Sequence, residues 1–232
     1  MSEPGEHTFL FADVAGFTAL TESHGDEAAL QLMLSFCGDV DALLDDYEGE
    51  RVKMLGDALM IRLADPVGGV KLALRITGGR MGEHGWPAVC VGVHHGRAIE
   101  HEGDWFGGAV NLAARLAGQA RSGEVLLSSG TRELIGEPAG IRFRYFGDRR
   151  LRNVSRPIAV WAASPVKVDE APSLELDPVC RMAVERSRAD AERKRAGRHF
   201  YFCSTHCAER FDRAPEDYLE ALAGGTVPSA ET

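Results

Sequence analysis

Two aspartates stand where a carboxylate needs a reason. Asp13 lies near the C-terminal end of an apolar, aromatic run, residues 8–14, that reads as a buried strand. Asp57 belongs to Gly56-Asp57, a dipeptide suited to a tight turn between the strand-like runs RVKML and ALMIRL. Carboxylates are hard oxygen ligands of the kind magnesium takes one or two at a time. Taken singly, Asp13 reads equally as a helix cap ahead of Gly16-Phe17, and Asp57 as an ordinary turn residue. Farther on, Asn111 and Arg115 are four apart on a helical pattern and share one face. Arginine keeps its charge and forks onto two phosphate oxygens, although a solvent-facing pair is the plain alternative. Lys53 offers only donors and an ionised Asp104 only acceptors; the plain readings are a snorkelling lysine and a turn cap. Near the other end, Cys180, Cys203 and Cys207 crowd together while Cys37 and Cys90 stand alone. In a reducing compartment such a cluster suggests metal before disulfides.

These groups need elements to hold them. Between residues 18 and 47 apolar side chains recur every three or four positions, which gives one long amphipathic helix or two short ones. Pro66 suits the first turn of a helix running to about Met81, and residues 88–95 alternate as a strand. Residues 104–107 read as a loop and 108–118 as a helix. A strand at 124–127, a short helix near 131–134 and strands near 141–146 and 158–163 follow. Interleaved strands and helices predict an α/β or α+β class built on one sheet. Residues 164–176 mix Pro, Ser and charge without period and read as a linker; the charged run 185–198 reads as a solvated face or loop.

The length of 232 residues suggests one medium domain and a small appendage. A formal net charge of −9 argues against a general binder of nucleic acid or anionic membranes, so any phosphate site must be local. No run approaches the roughly 20 apolar residues that span a bilayer, and MSEPGEH lacks a basic segment leading into an apolar one. A cytoplasmic location is expected, with neither nucleic acid nor membrane as partner.

The segments FLFADVAGFTAL, VKMLGDALM and GDWFGGAVNLAAR, in this order and spacing, resemble the signature of the class III adenylate/guanylate cyclase catalytic domain. The likeness runs over about residues 7–163 and places that domain at 1–163. It implies an α+β sandwich, ferredoxin-like, with one mixed or antiparallel sheet covered by helices. It implies attack of the ribose 3′-hydroxyl of ATP on the α-phosphorus, giving 3′,5′-cyclic AMP and pyrophosphate, with two magnesium or manganese ions per site. By this resemblance the metal ligands are Asp13, the Val14 backbone carbonyl and Asp57. Lys53 and Asp104 read the base, Asn111 holds the ribose and Arg115 stabilises the transition state. The donor–acceptor pair Lys53 and Asp104 matches adenine and mismatches guanine; a guanylate cyclase would favour an acidic residue at 53 and a small polar one at 104. Arg152, where relatives often carry a lysine-glycine, is a weaker candidate for the triphosphate, with a solvated strand end as the alternative. In the family the metal aspartates and the base-reading residues come from different protomers, and all six positions lie on this chain, so a homodimer is implied. A catalytically silent, nucleotide-binding metal sensor is the other reading; degenerate relatives usually lose a metal aspartate or the arginine, both kept here.

The segments DPVCRMAV and GRHFYFCSTHCAERFDRAPEDYL resemble a YHS domain, expected at 177–222 after a linker at 164–176 and before a disordered tail at 223–232. Cys203 and Cys207 form a Cys-x3-Cys pair, Cys180 is a third soft ligand, and His206 or His199 would complete a tetrahedral site for zinc or another thiophilic ion. Relatives carry glycine after the first cysteine, where this chain has Arg181. Three merely buried thiols are the alternative, and tuning of the cyclase by metal or redox state through this domain is an expectation from adjacency.

Overall fold

A computed structural model describes residues 5–79, 83–166 and 174–224. Its first half is a βαββαβ unit: β1 (Gly5–Val14), α1 (Phe17–His24), α2 (Asp26–Leu44), β2 (Glu50–Leu55), β3 (Ala58–Leu63), α3 (Pro66–Gly78) and β4 (Val89–His101). These strands lie in the order β2-β3-β1-β4, all antiparallel, which is the ferredoxin-like arrangement. Then follow β5 (Asp104–Phe106), α4 (Gly108–Ala117), β6 (Val125–Ser128), α5 (Ser129–Ile135), β7 (Ile141–Arg149) and β8 (Ile158–Pro165). The sheet continues as β4-β6-β8-β7, with β6 parallel to β4, so the whole is a mixed eight-stranded sheet. The expected α+β class and single helix-covered sheet hold.

Local chemistry explains most boundaries. The helical pattern after β1 divides at Gly25, whose φ of +84° ends α1 and turns the chain into α2. Asp65 caps α3, its carboxylate accepting from the N–H groups of Val67 and Gly68. The helix ends at Gly78, and its expected extension to Met81 falls partly on residues 80–82, outside the described residues. Residues 104–107, expected as a loop, instead contain β5, which folds back on β4. The turn between them, Glu102-Gly103, has positive φ at both positions, 53° and 77°, the geometry of a tight hairpin.

Side chains sort by parity on the two faces of the sheet. Leu10, Ala12 and Val14 of β1 join Leu59, Ile61 and Leu63 of β3 against Met33, Phe36 and Val40 of α2 and Val70 and Ala73 of α3. Phe9, Phe11 and Met60 face the other way, onto Ala109, Ala113 and Ala117 of α4. A stripe of alanines lets α4 lie close, and Gly92 completes the fit: a Cβ there would stand 2.1 Å from Ala117 N and 2.2 Å from Ala113 O.

The C-terminal part contains β9 (Leu174–Leu176), β10 (Ala183–Glu185), β11 (Ala191–Arg195), β12 (Arg198–Phe202), α6 (Thr205–Arg213) and α7 (Pro215–Gly224). Residues 167–173 of the expected linker and 225–232 of the expected tail lie outside the described residues. Much of the charged run 185–198 is strand, with Arg193 paired to Asp212 and Arg195 to Glu216. This small unit shares its core with the first domain: Val179, Phe200, Phe202 and Phe211 cluster with Leu20 of α1 and Ala29 of α2, all nearly or fully buried. Main-chain bonds add to the junction, from Gly85 N to Ala183 O, Ala183 N to Trp86 O and Ala88 N to Arg181 O.

Candidate functional site

Asp13, the penultimate residue of β1, lies on the same face as Phe9 and Phe11 and pairs in register with Ala58 of β3. That register brings it beside the β2–β3 turn, where Gly56 takes a φ of +64° and Asp57 follows. Val14 N donates to Asp57 O at 3.3 Å, so main chain fixes the two aspartates together. Burial, then the Asp57 charge, pushes the Asp13 carboxyl up to about 6; burial also raises Asp57. Among the described residues neither carboxylate has an ion-pair partner. Two adjacent, partly desolvated carboxylates without a counter-charge are a donor set that fits a hard divalent cation. Val14, whose carbonyl is the third expected ligand, is buried next to Asp13.

Lys53 sits on β2 opposite Met60, just after a register shift between Arg51 and Lys53. Asp104 begins β5. Their side chains meet at 2.5 Å, Lys53 Nζ donating to Asp104 Oδ2, while Asp104 Oδ1 accepts from Trp105 N. The lysine beside it holds the Asp104 carboxyl below the ordinary value. β5, absent from the expected elements, is therefore what carries Asp104 to Lys53.

Asn111 and Arg115 project from the side of α4 opposite its alanine stripe, Asn111 exposed and Arg115 half-buried. Among the described residues Arg115 has no hydrogen-bond or ion-pair partner. Arg152 lies exposed in the turn after β7, where Val154 N closes onto Leu151 O, and among the described residues it makes no hydrogen bond or ion pair with the other candidates. The structure thus joins Asp13 to Asp57 and Lys53 to Asp104 within one chain.

A second group forms at the junction. Cys180 Sγ is 3.4 Å from Cys203 Sγ, which is 3.7 Å from Cys207 Sγ. His24, the last residue of α1, places Nε2 3.5 Å from Cys203 Sγ and 4.0 Å from Cys207 Sγ. These four ligand atoms lie within 4.8 Å of one another. His206, expected beside the cysteines, points to solvent from α6, and His199 pairs with Glu192 on β11; neither joins the cluster. His24 escaped sequence reasoning because it is 179 residues from Cys203 and stands alone on a helix. Asp177 organises the group from beneath: Oδ1 accepts from Val179 N at 2.8 Å and more weakly from Cys180 N at 3.4 Å, and Oδ2 from Cys203 N at 2.9 Å. Ser204 caps α6 by accepting from Cys207 N.

Residues 1–161 match the family model described as the adenylate and guanylate cyclase catalytic domain, and residues 176–222 match that of the YHS domain. A pH-sensitive adenylate cyclase of Mycobacterium tuberculosis is 33% identical over 160 residues, covering 66% of this chain and 39% of that protein. An adenylate cyclase of Streptomyces griseus is 33% identical over 126 residues, covering 54% of this chain and 32% of its own length. The chain thus spans about a third of the length of these relatives. Among solved structures, an adenylate/guanylate cyclase/hydrolase from Silicibacter pomeroyi superposes with a TM-score of 0.63 at 26% identity, covering 70% of this chain and 98% of that one. The adenylyl cyclase CyaB from P. aeruginosa shares the fold with a TM-score of 0.62 at 23% identity, over 73% and 98% of the two chains.

Proposed function

The chain belongs to the adenylate and guanylate cyclase catalytic-domain family, and from that premise we propose that it converts ATP to 3′,5′-cyclic AMP and pyrophosphate at sites shared between two protomers. The observation that carries the base assignment is the Lys53–Asp104 pair, closed at 2.5 Å. Adenine offers an acceptor at N1 and a donor at N6; Lys53 supplies the donor and Asp104 the acceptor, and guanine would set like against like. Because the two side chains hold each other before the base arrives, little ordering remains to be done on binding.

When bound by Asp13, Asp57 and the Val14 carbonyl, two magnesium or manganese ions supply activation of the attacking 3′-oxygen and neutralisation of phosphate charge. Asn111 orients the ribose. Arg115, without a hydrogen-bond or ion-pair partner among the described residues, meets the charge that develops on the α-phosphoryl oxygens. Met54 and Leu55 beside the Asp57 turn, and Phe106 beside Asp104, are 52%, 47% and 53% exposed. Apolar side chains flanking both groups in this way favour a two-fold contact that lays one protomer's aspartates against its partner's α4. Arg152 is a secondary candidate for the triphosphate. The appended domain, at about 177–222 beyond a linker, holds a thiophilic ion and tunes the reaction; the free cysteines suit a cytoplasmic setting.

The test is cyclic product from ATP or GTP with magnesium or manganese. Product from ATP, its loss in Asp13→Ala and in Arg115→Ala, and partial recovery when those two proteins are mixed are expected. Product from GTP alone would reject the base assignment, and a dead mixture despite heterodimer formation would reject the shared site.

A further inference from the structure

We propose that His24 of the cyclase domain, with Cys180, Cys203 and Cys207 of the appended domain, forms one closed tetrahedral site for a thiophilic d10 cation of the zinc class, and that this ion locks the chain segment following Asp13. The distances carry the first half. A tetrahedral ion with metal–sulfur bonds of about 2.3 Å and a metal–nitrogen bond of about 2.0 Å sets its ligand atoms roughly 3.5–3.8 Å apart. Four of the six edges are 3.4 and 3.7 Å between sulfurs and 3.5 and 4.0 Å from sulfur to His24 Nε2, and all six are within 4.8 Å. Three sulfurs and one imidazole are a soft, four-coordinate set that leaves no open position, so the site is structural or regulatory rather than catalytic. It is also preassembled, since the Asp177 carboxylate ties Cys180 and Cys203 together through their main-chain N–H groups.

The second half rests on what lies either side of His24. The segment from Ala15 to His24, which leaves the Asp13 strand and runs through α1, is held at both ends by the appended domain. At its start, Ala15 N donates to Ala88 O at 2.9 Å, and Ala88 N donates to Arg181 O, the residue after Cys180. Arg181 also packs against Gly16, where a Cβ would meet its Cγ at 2.8 Å. Its far end is His24 itself, flanked by Glu22 and Ser23, which Arg210 of α6 grips. An ion at the cluster would therefore fix both ends of the segment that positions Asp13. Loss of the ion frees α1 from the cysteines and loosens that end of β1.

The consequence for turnover rests on the cyclase reading, whereas the site does not. Full-length protein is loaded with Zn2+ or Co2+ under reducing conditions, and metal content, Co2+ absorption and the X-ray absorption fine structure of the zinc form are recorded. One ion per chain with three sulfurs and one nitrogen is expected. His24→Ala should weaken binding by roughly tenfold or more and replace the nitrogen signal, while His206→Ala should change neither. No ion, four sulfurs, unchanged affinity in His24→Ala, or a Cys180–Cys203 disulfide as the stable state would overturn the site. Circular dichroism and thermal melting confirm that each variant is folded. Cyclase assays on loaded and stripped protein then address the coupling: stripping should lower turnover about fivefold in the wild type and have no further effect in His24→Ala. Equal turnover with and without the ion overturns the coupling alone, and a chain inactive on ATP rejects the cyclase reading while the spectra still decide the site.

Discussion

Asp13 and Asp177 are both removed from water, and the protein treats them in opposite ways. Asp177 is fully buried, yet the N–H groups of Val179, Cys180 and Cys203 converge on its two oxygens. Asp13 is only partly buried, its carboxylate accepts no side-chain or main-chain hydrogen bond among the described residues, and it faces Asp57. Burial raises both carboxyls, but at Asp177 the backbone donors work against the rise. One carboxylate is a finished fastener and the other carries a charge left unanswered. The contrast separates architecture from chemistry: where donors converge the group holds the fold, and where they are withheld the carboxylate is free for the cation-binding role proposed for it.

The largest effect expected from breaking that contrast is at Asp13. Asp13→Asn should cut cyclase turnover by about a thousandfold or more, since several kcal/mol of charge stabilisation would go with the metal ligand. The metal-free fold should nevertheless gain about 1–2 kcal/mol at pH 7. Its sign follows from a folded pKa of about 6 against an ordinary 3.8: the favourable contribution is complete below the unfolded value and is lost as pH rises through 6. Melting curves in chelator should therefore show the variant ahead at pH 7.5 and the gap closing toward pH 5. A variant less stable than the parent would sink the idea of an unanswered charge.

Asp177→Ala should move stability the other way. Three main-chain N–H groups would lose their acceptor inside the junction, at about 1 kcal/mol each, so urea unfolding should lose roughly 3 kcal/mol. Zinc uptake should fall with it. Lys53→Ala lies between these cases, because Asp104 has a partner but at a half-exposed site, with side chains 35% and 29% accessible. Stability should change by less than about 1 kcal/mol, while kcat/KM for ATP should drop about tenfold to a hundredfold. A large loss of stability with little change for ATP would make the pair a brace rather than a base reader.

The same contrast shows what a sequence exposes. Asp13, Asp57, Asn111 and Arg115 stand in short motifs whose chemistry is local, and the βαββαβ order follows from periodicity. β5 was hidden because Glu102-Gly103 is not one of the favoured hairpin dipeptides, although its conformation is that of a tight turn. His24 was hidden for a stronger reason. Its role arises only when Leu20 and Ala29 are buried against Phe202 and Phe211, and no spacing rule links an amphipathic helix near one end of a chain to cysteines near the other. Helical periodicity marks Leu20 as apolar but cannot say which hydrophobic surface covers it.

Arg181 stands between the two carboxylates and gives the smallest but most discriminating test. Its N–H bonds to Asp177 O at 2.9 Å, and its side chain rests on Gly16, three residues after Asp13. The backbone φ of +62° is a conformation glycine takes freely and arginine adopts at a cost of about 1–2 kcal/mol. Something must retain the larger residue, and the packing against Gly16 is the evident return. Arg181→Gly relieves the strain and removes that packing, so net stability should move by no more than about 1 kcal/mol. Ion affinity should stay the same, because Asp177 still ties Cys180 to Cys203. The response of turnover to the ion should shrink, since only the Arg181–Ala88–Ala15 main-chain path and His24 would then transmit it. An undiminished response would assign the whole coupling to those two links and leave the arginine side chain as filling.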